Sequence, residues 1–393
     1  MKIVSIAERT VPIASSLRNA RIDFSEITAS VVAVVTDQFR DGRRVVGHAF
    51  NSFGRYGCGG PLRERFIPRL LRATPAELND PGSGIVDPQR ALDLMLRREK
   101  AGAHAERSMA VGTLELALWD IVGKMRGLPL YRVLAERMGE PGIEPARSVR
   151  CYVGGGFYRD HDDLARLGDE VRGHLDAGYT ELKIKAGGLP LAAELRRIES
   201  VLALVGSGAR LALDASCAFG RDEALAFARA IAPYGLRWLE EPCDPADFET
   251  YRAVSEAYAG TVAGGENLFS REEVANFLRY GGFEGRVVLQ PDPPLAYGLL
   301  ELQRIVALAQ AHGVARENIV PHGGNLMSLH ATAGLGLGSA ESYPGLFGPF
   351  GGFSREVRIE NGRATLPESP GIGFEEQPAL YRIFHELAAS LGA

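Results

Sequence analysis

The chain has 393 residues, 46% apolar and 24% charged, with 44 Lys plus Arg against 49 Asp plus Glu for a net charge of −5. That composition excludes disorder as the main state, and four well-separated cysteines (Cys58, Cys151, Cys217 and Cys243) exclude a disulfide scaffold. Mild acidity gives no polyphosphate-binding footprint and no apolar run reaches the roughly 18 residues of a membrane span, so neither nucleic acid nor membrane is an expected partner and a cytoplasmic setting is expected.

From the N-terminus, Met1–Arg9, Ser30–Asp37 and Arg43–Phe50 carry the β-branched residues of strands, with Asp41-Gly42 as a turn. Beyond Gly60 the pattern becomes helical. Pro88 opens a helix capped by Asp87, and Glu106–Arg126 sets Leu114, Ala117, Leu118, Ile121 and Val122 on one stripe. Strands followed by helices predict an α+β unit over residues 1–147. From 148 onward short strands alternate with amphipathic helices: Val149–Val153, Glu181–Lys185, Arg210–Asp214, Arg237–Glu240, Val262–Glu266, Arg286–Gln290, Asn318–His322 and Leu337–Tyr343. Eight βα repeats predict an α/β fold, a (β/α)8 TIM barrel over residues 148–349. Residues 350–393 add a hairpin at Asn361-Gly362 and a last helix to Leu391, expected to return to the N-terminal unit.

Chemistry-bearing residues recur in phase with the strand ends: Lys185, Asp214, Glu240, Glu266, Asp292 and His322, at intervals of 26 to 30 residues. One βα unit separates each from the next, so they converge on the mouth of the barrel, where such folds keep their sites. Strand period turns Lys183 and Lys185 inward together and Leu182 and Ile184 outward. Asp214, Glu240 and Glu266 form a set of hard oxygen donors that favours one Mg²⁺ over Zn²⁺. Glu241 points away from Glu240 and is expected on the solvated rim. Two ammonium groups near a metal are expected to depress a lysine pKa toward that of a base. Asp292 is placed to orient the His322 imidazole, and Glu341 is a candidate near a developing oxyanion. Cys58, Cys217 and Cys243 have no assigned histidine partner and are not expected to be nucleophiles. The sequence has no GxxxxGK[ST], HExxH, GxSxG or CxxC.

Lys183-Ile184-Lys185, the three carboxylates and the Asp292/His322 pair together resemble the enolase superfamily, mandelate racemase subgroup. Segments such as Arg18-Asn19-Ala20, Gly54-Arg55-Tyr56-Gly57 and Pro321-His322-Gly323-Gly324 resemble the D-tartrate dehydratases within it. The sequence departs from their pattern at Ser216, at Phe53, Cys58 and Asn325, and at Pro291, Pro293 and Pro294 around Asp292. The resemblance implies a modified barrel capped by an α+β domain made from the N-terminal region and the C-terminal tail. It also implies a small acid-sugar substrate and a homo-oligomer. Lys185 would abstract the proton α to a carboxylate, Lys183 and the metal would steady the resulting charge, and His322 would protonate a departing β-hydroxyl. Loops at Asn19–Asp23 and Asn51–Gly60 would cover the substrate, with Asn19, Arg21 and Tyr56 reading its distal end. A racemase or epimerase, a cycloisomerase and a non-catalytic binding barrel are the competing expectations.

Overall fold

The computed structural model describes residues 1–139, 144–161 and 163–393. Strands β1 (Ile3–Pro12), β2 (Thr28–Arg40) and β3 (Arg43–Phe50) form an antiparallel sheet in the order β1-β2-β3. The β2–β3 turn uses left-handed Asp41 and Gly42 (φ 49° and 76°), which the Asp-Gly pair tolerates. The helix Ala105–Arg126 lies on this sheet, and it is buried almost all round from Ser108 to Gly123 rather than along the single expected stripe. The reason is that it has two partners. At Gly47 of β3 a Cβ would lie 2.1 Å from Ala117 O, and at Gly112 a Cβ would lie 2.7 Å from Pro294 O on the barrel side. Glu115 accepts from Leu299 N and Leu300 N at 3.0 and 3.1 Å, tying the same helix to the start of a barrel helix. Gly47→Ala is therefore expected to lower stability by about 1–3 kcal/mol through overpacking against a backbone carbonyl, measured as a shifted denaturant midpoint at constant m.

The barrel strands are β4 (Ser148–Gly155), β5 (Leu182–Lys185), β6 (Leu211–Asp214), β7 (Trp238–Glu240), β8 (Val262–Gly264), β9 (Val287–Leu289) and β10 (Ala340–Ser342). The first six pair in parallel in chain order, and β10 pairs in parallel with β4. The expected strand Asn318–His322 is reduced to a bridge between Leu289 and Ile319, preceded by a 3-10 turn at Arg316–Asn318. Closure survives, because Val320 N donates to Leu289 O at 2.8 Å and Gly338 N to Ile319 O at 2.9 Å. Tyr152, Ala212, Trp238, Ala263, Val288 and Val320 fill a separate interior layer, alternating large and small side chains.

The tail divides. Strands β11 (Ile359–Glu360) and β12 (Arg363–Thr365) form the expected hairpin, but β12 pairs with β4 of the barrel. The rest returns to the N-terminal unit as expected: Ile372 N donates to Asp120 Oδ1 at 2.7 Å, and the final helix, Pro378–Ala389, packs on β1 and β2, where Arg9 donates to Ile383 O at 3.2 Å.

Candidate active site

Strand register sets the first row of the site. Lys185 pairs with Asp214 and Asp214 with Glu240, so three adjacent strands end with inward ionisable side chains at one level above the apolar interior layer. A cavity of about 740 Å³ opens above this row. Lys185, Asp214, Glu266 and His322 line its floor, while Asn19, Arg21, Phe53, Arg55 and Tyr56 line it from the N-terminal loops.

The histidine at the cavity is sharply held. His322 Nδ1 lies 2.8 Å from Asp292 Oδ2, and that same oxygen accepts from Ser52 Oγ at 2.8 Å. His322 Nε2 lies 3.2 Å from Glu266 Oε2. Burial opposes charge on the ring, but Glu266, the Asp292 hydrogen bond and Glu341 outweigh it and lift its pKa to about 10. The surrounding carboxylates thus favour the charged form of the ring. Sequence reasoning missed Ser52. It is fully buried, with φ 68°, and comes from β3's far end, far from Asp292 in the chain.

Lys185 donates to Asp214 Oδ2. Burial works against its charge, but Asp214 prevails and holds the ammonium above the ordinary lysine range. The expected depression of this pKa is corrected: with a carboxylate directly on Nζ, the opposite charge outweighs both burial and the neighbouring Lys183. Lys183 does not reach the cavity. It is buried beneath it, 2.5 Å from Glu240 Oε1 and 2.7 Å from Glu341 Oε1. Glu341 likewise lies below the lining. It accepts from Gly323 N at 3.2 Å and has a pKa near 2, where Lys183 and His322 overcome burial. Both residues support the floor from beneath.

The carboxylates also differ from expectation. Among the described residues, no three acidic, histidine or cysteine side chains close on one point as a formed metal cage. Asp214 turns to Lys185, Glu266 to His322, and Glu240 to Lys183, with Trp238 Nε1 and Gln290 Nε2 donating to Glu240 at 2.8 and 2.7 Å. Glu241 is not on the solvated rim. It is buried and lines the cavity, bonded by Asn267 Nδ2 at 2.8 Å and Cys217 Sγ at 3.2 Å. Strand alternation fails there because β7 stops at Glu240 and Glu241 adopts φ 41°. Ser216 and Cys217 are left-handed too, at φ 51° and 58°, so both loops beside the carboxylates carry strained backbone. Burial and adjacent carboxylates push the Glu241 pKa well up. Burial also raises the thiols of Cys58, Cys217 and Cys243, which leaves none suited to nucleophilic attack.

Asn19 lines the cavity, but its Oδ1 accepts from Arg21 N and Ile22 N at 2.8 and 2.7 Å, shaping its own loop. Tyr56 lies at the open edge, 59% exposed. Phe53 stacks on Phe347 with centroids 4.5 Å apart, making an apolar wall. Ser216 supports Asp214, its N–H donating to Oδ1 at 2.7 Å.

The family model for proteins described as "Enolase C-terminal domain-like" matches residues 166–379, more than half of the chain. The chain belongs to the enolase superfamily. Within that superfamily it is 26% identical to the L-talarate/galactarate dehydratase of Salmonella typhimurium over 94% of this chain and 87% of that one. It is 31% identical to the D-galactarolactone cycloisomerase of Agrobacterium fabrum over 68% of this chain and 71% of that one. A racemase from Streptomyces coelicolor A3(2), solved with bound magnesium, superposes with a TM-score of 0.76 at 22% identity, covering 96% of this chain and 99% of that one. That superposition establishes the common fold.

Proposed function

We propose that this enolase-superfamily protein is a Mg²⁺-dependent acid-sugar dehydratase, a hydro-lyase that removes the proton α to a carboxylate and eliminates the β-hydroxyl to give a 2-keto acid. The observation that carries this reading is the presence in one cavity of a lysine, Lys185, and a histidine, His322, locked by Asp292. Elimination needs a base at one carbon and an acid at the next. The dehydratase that matches along nearly the whole chain supports it. Residues 1–147 would act as the cap, 148–349 as the catalytic barrel and 350–393 as the returning tail.

The donor set fits a hard divalent cation. Every candidate ligand is a carboxylate, and burial, with Asp214, Glu341 and Glu266 nearby, raises the Glu240 pKa against the pull of Lys183, so a further cation would be accommodated there. Asp214, Glu240 and Glu266 would hold the ion. Bound there, Mg²⁺ would neutralise that charge, draw Asp214 off Lys185 and polarise the substrate carboxylate. With Asp214 so engaged, burial and the neighbouring Lys183 would favour loss of the ammonium proton, and the neutral amine at Lys185 Nζ takes the α-proton. His322 Nε2 gives its proton to the β-hydroxyl as the C–O bond breaks, so water leaves and the enol tautomerises to the keto acid. Asp292 and Ser52 keep the ring aimed throughout, while Lys183 remains beneath the floor, balancing Glu240 and Glu341. Asn19, Arg21 and Tyr56 are positioned at the covering loops to meet the distal hydroxyls.

The class of substrate is an α,β-dihydroxy acid, of which D-tartrate is a small member. The test is a panel of acid sugars incubated with Mg²⁺-loaded enzyme, read by keto-acid assay and by mass spectrometry for loss of water. Keto-acid formation is expected for at least one member. A second reading, cycloisomerisation, draws on the 31% identity to a cycloisomerase. It predicts lactone consumption without loss of water, and that outcome, or α-proton exchange alone as in a racemase, would replace the dehydratase reading.

A further inference from the structure

Lys183 and Glu341, the residues expected near a developing oxyanion, both lie beneath the cavity. Tyr343 reaches it instead. It follows directly on β10, two residues beyond Glu341 and on the same inward side. The residue is only 2% exposed, yet among the described residues its phenol has no hydrogen-bond partner. Two glycines hold its ring. A Cβ at Gly154 of β4 would lie 2.3 Å from Tyr343 Cε1 and 3.0 Å from Oη, and one at Gly324 would lie 2.2 Å from Cδ2. Larger residues at either position would occupy the space of the ring. Phe53 and Phe347 meet it edge-on, with centroids 5.8 and 5.2 Å away. A phenylalanine would complete this apolar packing equally well, so packing does not account for the phenol oxygen, and a buried tyrosine O–H ordinarily finds a partner.

Strand order places that oxygen. Gly154, beside Oη, pairs in register with Lys183. β10 lies four places round the barrel from β7, so Tyr343 faces the Asp214, Glu240 and Glu266 set from across the mouth, with Lys185 on one arc between them and His322 on the other. A substrate with its α-carbon at Lys185 and one carboxylate oxygen toward that acidic set turns its other oxygen to Tyr343. Burial and the nearby Glu341 push the phenol pKa well up, so the group keeps its proton and can donate. We propose that Tyr343 is a further catalytic residue, whose phenol O–H donates to the carboxylate oxygen that gains negative charge as the α-proton leaves. No proton changes hands at this bond; it strengthens as the charge grows. The proposal rests on the acid-sugar dehydratase reading and adds a residue to it.

The experiment compares wild type with Tyr343→Phe, which keeps the ring between the two glycines and removes only the O–H. Both Mg²⁺-loaded enzymes are given the acid sugar that wild type converts best, and keto acid and α-proton exchange in heavy water are followed. The charge appears as the α-proton leaves, so both signals are expected to fall together. The fall should be about 100-fold in kcat, the usual effect of removing one donor to a developing oxyanion, with KM within about threefold. Thermal unfolding close to that of wild type separates this loss from a packing defect. Calorimetry gives a readout without turnover. The hydroxamate of the same sugar, a stable mimic of the charged state, should bind Tyr343→Phe at least about tenfold more weakly than wild type. The parent acid should bind Lys185→Ala and Lys185→Ala/Tyr343→Phe within about threefold of each other. Wild-type turnover and exchange in Tyr343→Phe would reduce the tyrosine to packing. Loss of keto acid with exchange intact would move its hydrogen bond to the leaving hydroxyl. Either result sinks the proposal and leaves the dehydratase standing. Exchange without keto acid in wild type, still cut by Tyr343→Phe, would remove the dehydratase and keep the tyrosine's role. Wild type that neither converts nor exchanges any acid sugar would remove both.

Discussion

Lys185→Ala is expected to abolish both keto-acid formation and α-proton exchange, whereas His322→Asn should abolish keto-acid formation and spare the exchange. The difference follows from where each proton goes. Lys185 sits on the cavity floor at the end of β5, where its neutral amine would receive the α-proton. His322 acts later, on the leaving oxygen. Each loss is expected to exceed about 10³-fold in kcat, within the range for a positioned general base or acid. The measurement is proton NMR in heavy water with the best acid sugar, run beside a keto-acid assay. Ser52→Ala should give a milder defect of about tenfold in kcat, because His322 keeps its Asp292 bond while Asp292 loses one of its own donors. Exchange that persists in Lys185→Ala and vanishes in His322→Asn would invert the two roles. Wild type that forms only the epimer would make the protein a racemase with the same residues.

The barrel and the row of strand-end charges were legible in the sequence because both follow from period. Alternation puts Lys183, Lys185, Asp214 and Glu240 inward, and the βα interval brings successive strand ends to one mouth. The errors begin where strands end. Gly265, at φ 128°, breaks the strand expected to run through Glu266, and left-handed Glu241 defeats the alternation rule one residue past β7. The seventh strand shrank to one bridge because Pro321 and the Gly323-Gly324 turn leave little extended chain around His322. Ser52 and Arg55 were beyond reach for another reason. Their partners, Asp292 and Asn267, belong to distant parts of the chain, and no local pattern encodes such contacts. The direction of the Lys185 shift failed because sequence shows which charges are near but not that one carboxylate is hydrogen-bonded to Nζ.

Removing the metal should abolish turnover, and its restoration by Mg²⁺ should be prevented by loss of any one of three carboxylates. Asp214→Asn, Glu240→Gln and Glu266→Gln are each expected to weaken Mg²⁺ binding by more than about 100-fold, since even residues that merely orient ligands cost about 10- to 100-fold. Calorimetry with chelator-treated enzyme measures this without reference to catalysis, and thermal unfolding with and without Mg²⁺ gives a second readout. Glu240 is the demanding member. It is fully buried and already bonded by Lys183, Trp238 and Gln290, so ligation must compete with an existing set of donors. Glu241 lies one residue away, buried at the cavity wall and oriented by Asn267 and Cys217. The register of β6 and β7 sets Glu240 beside Asp214, which is why Glu240 rather than Glu241 is assigned to the ion. Glu241→Gln should therefore leave Mg²⁺ affinity within about threefold, because the amide keeps the hydrogen bond from Asn267 and removes only a charge outside the ligand set. If Glu241→Gln lost the metal while Glu240→Gln kept it, the ligand would lie one residue beyond the strand, and Glu240 would be a structural counter-ion for Lys183.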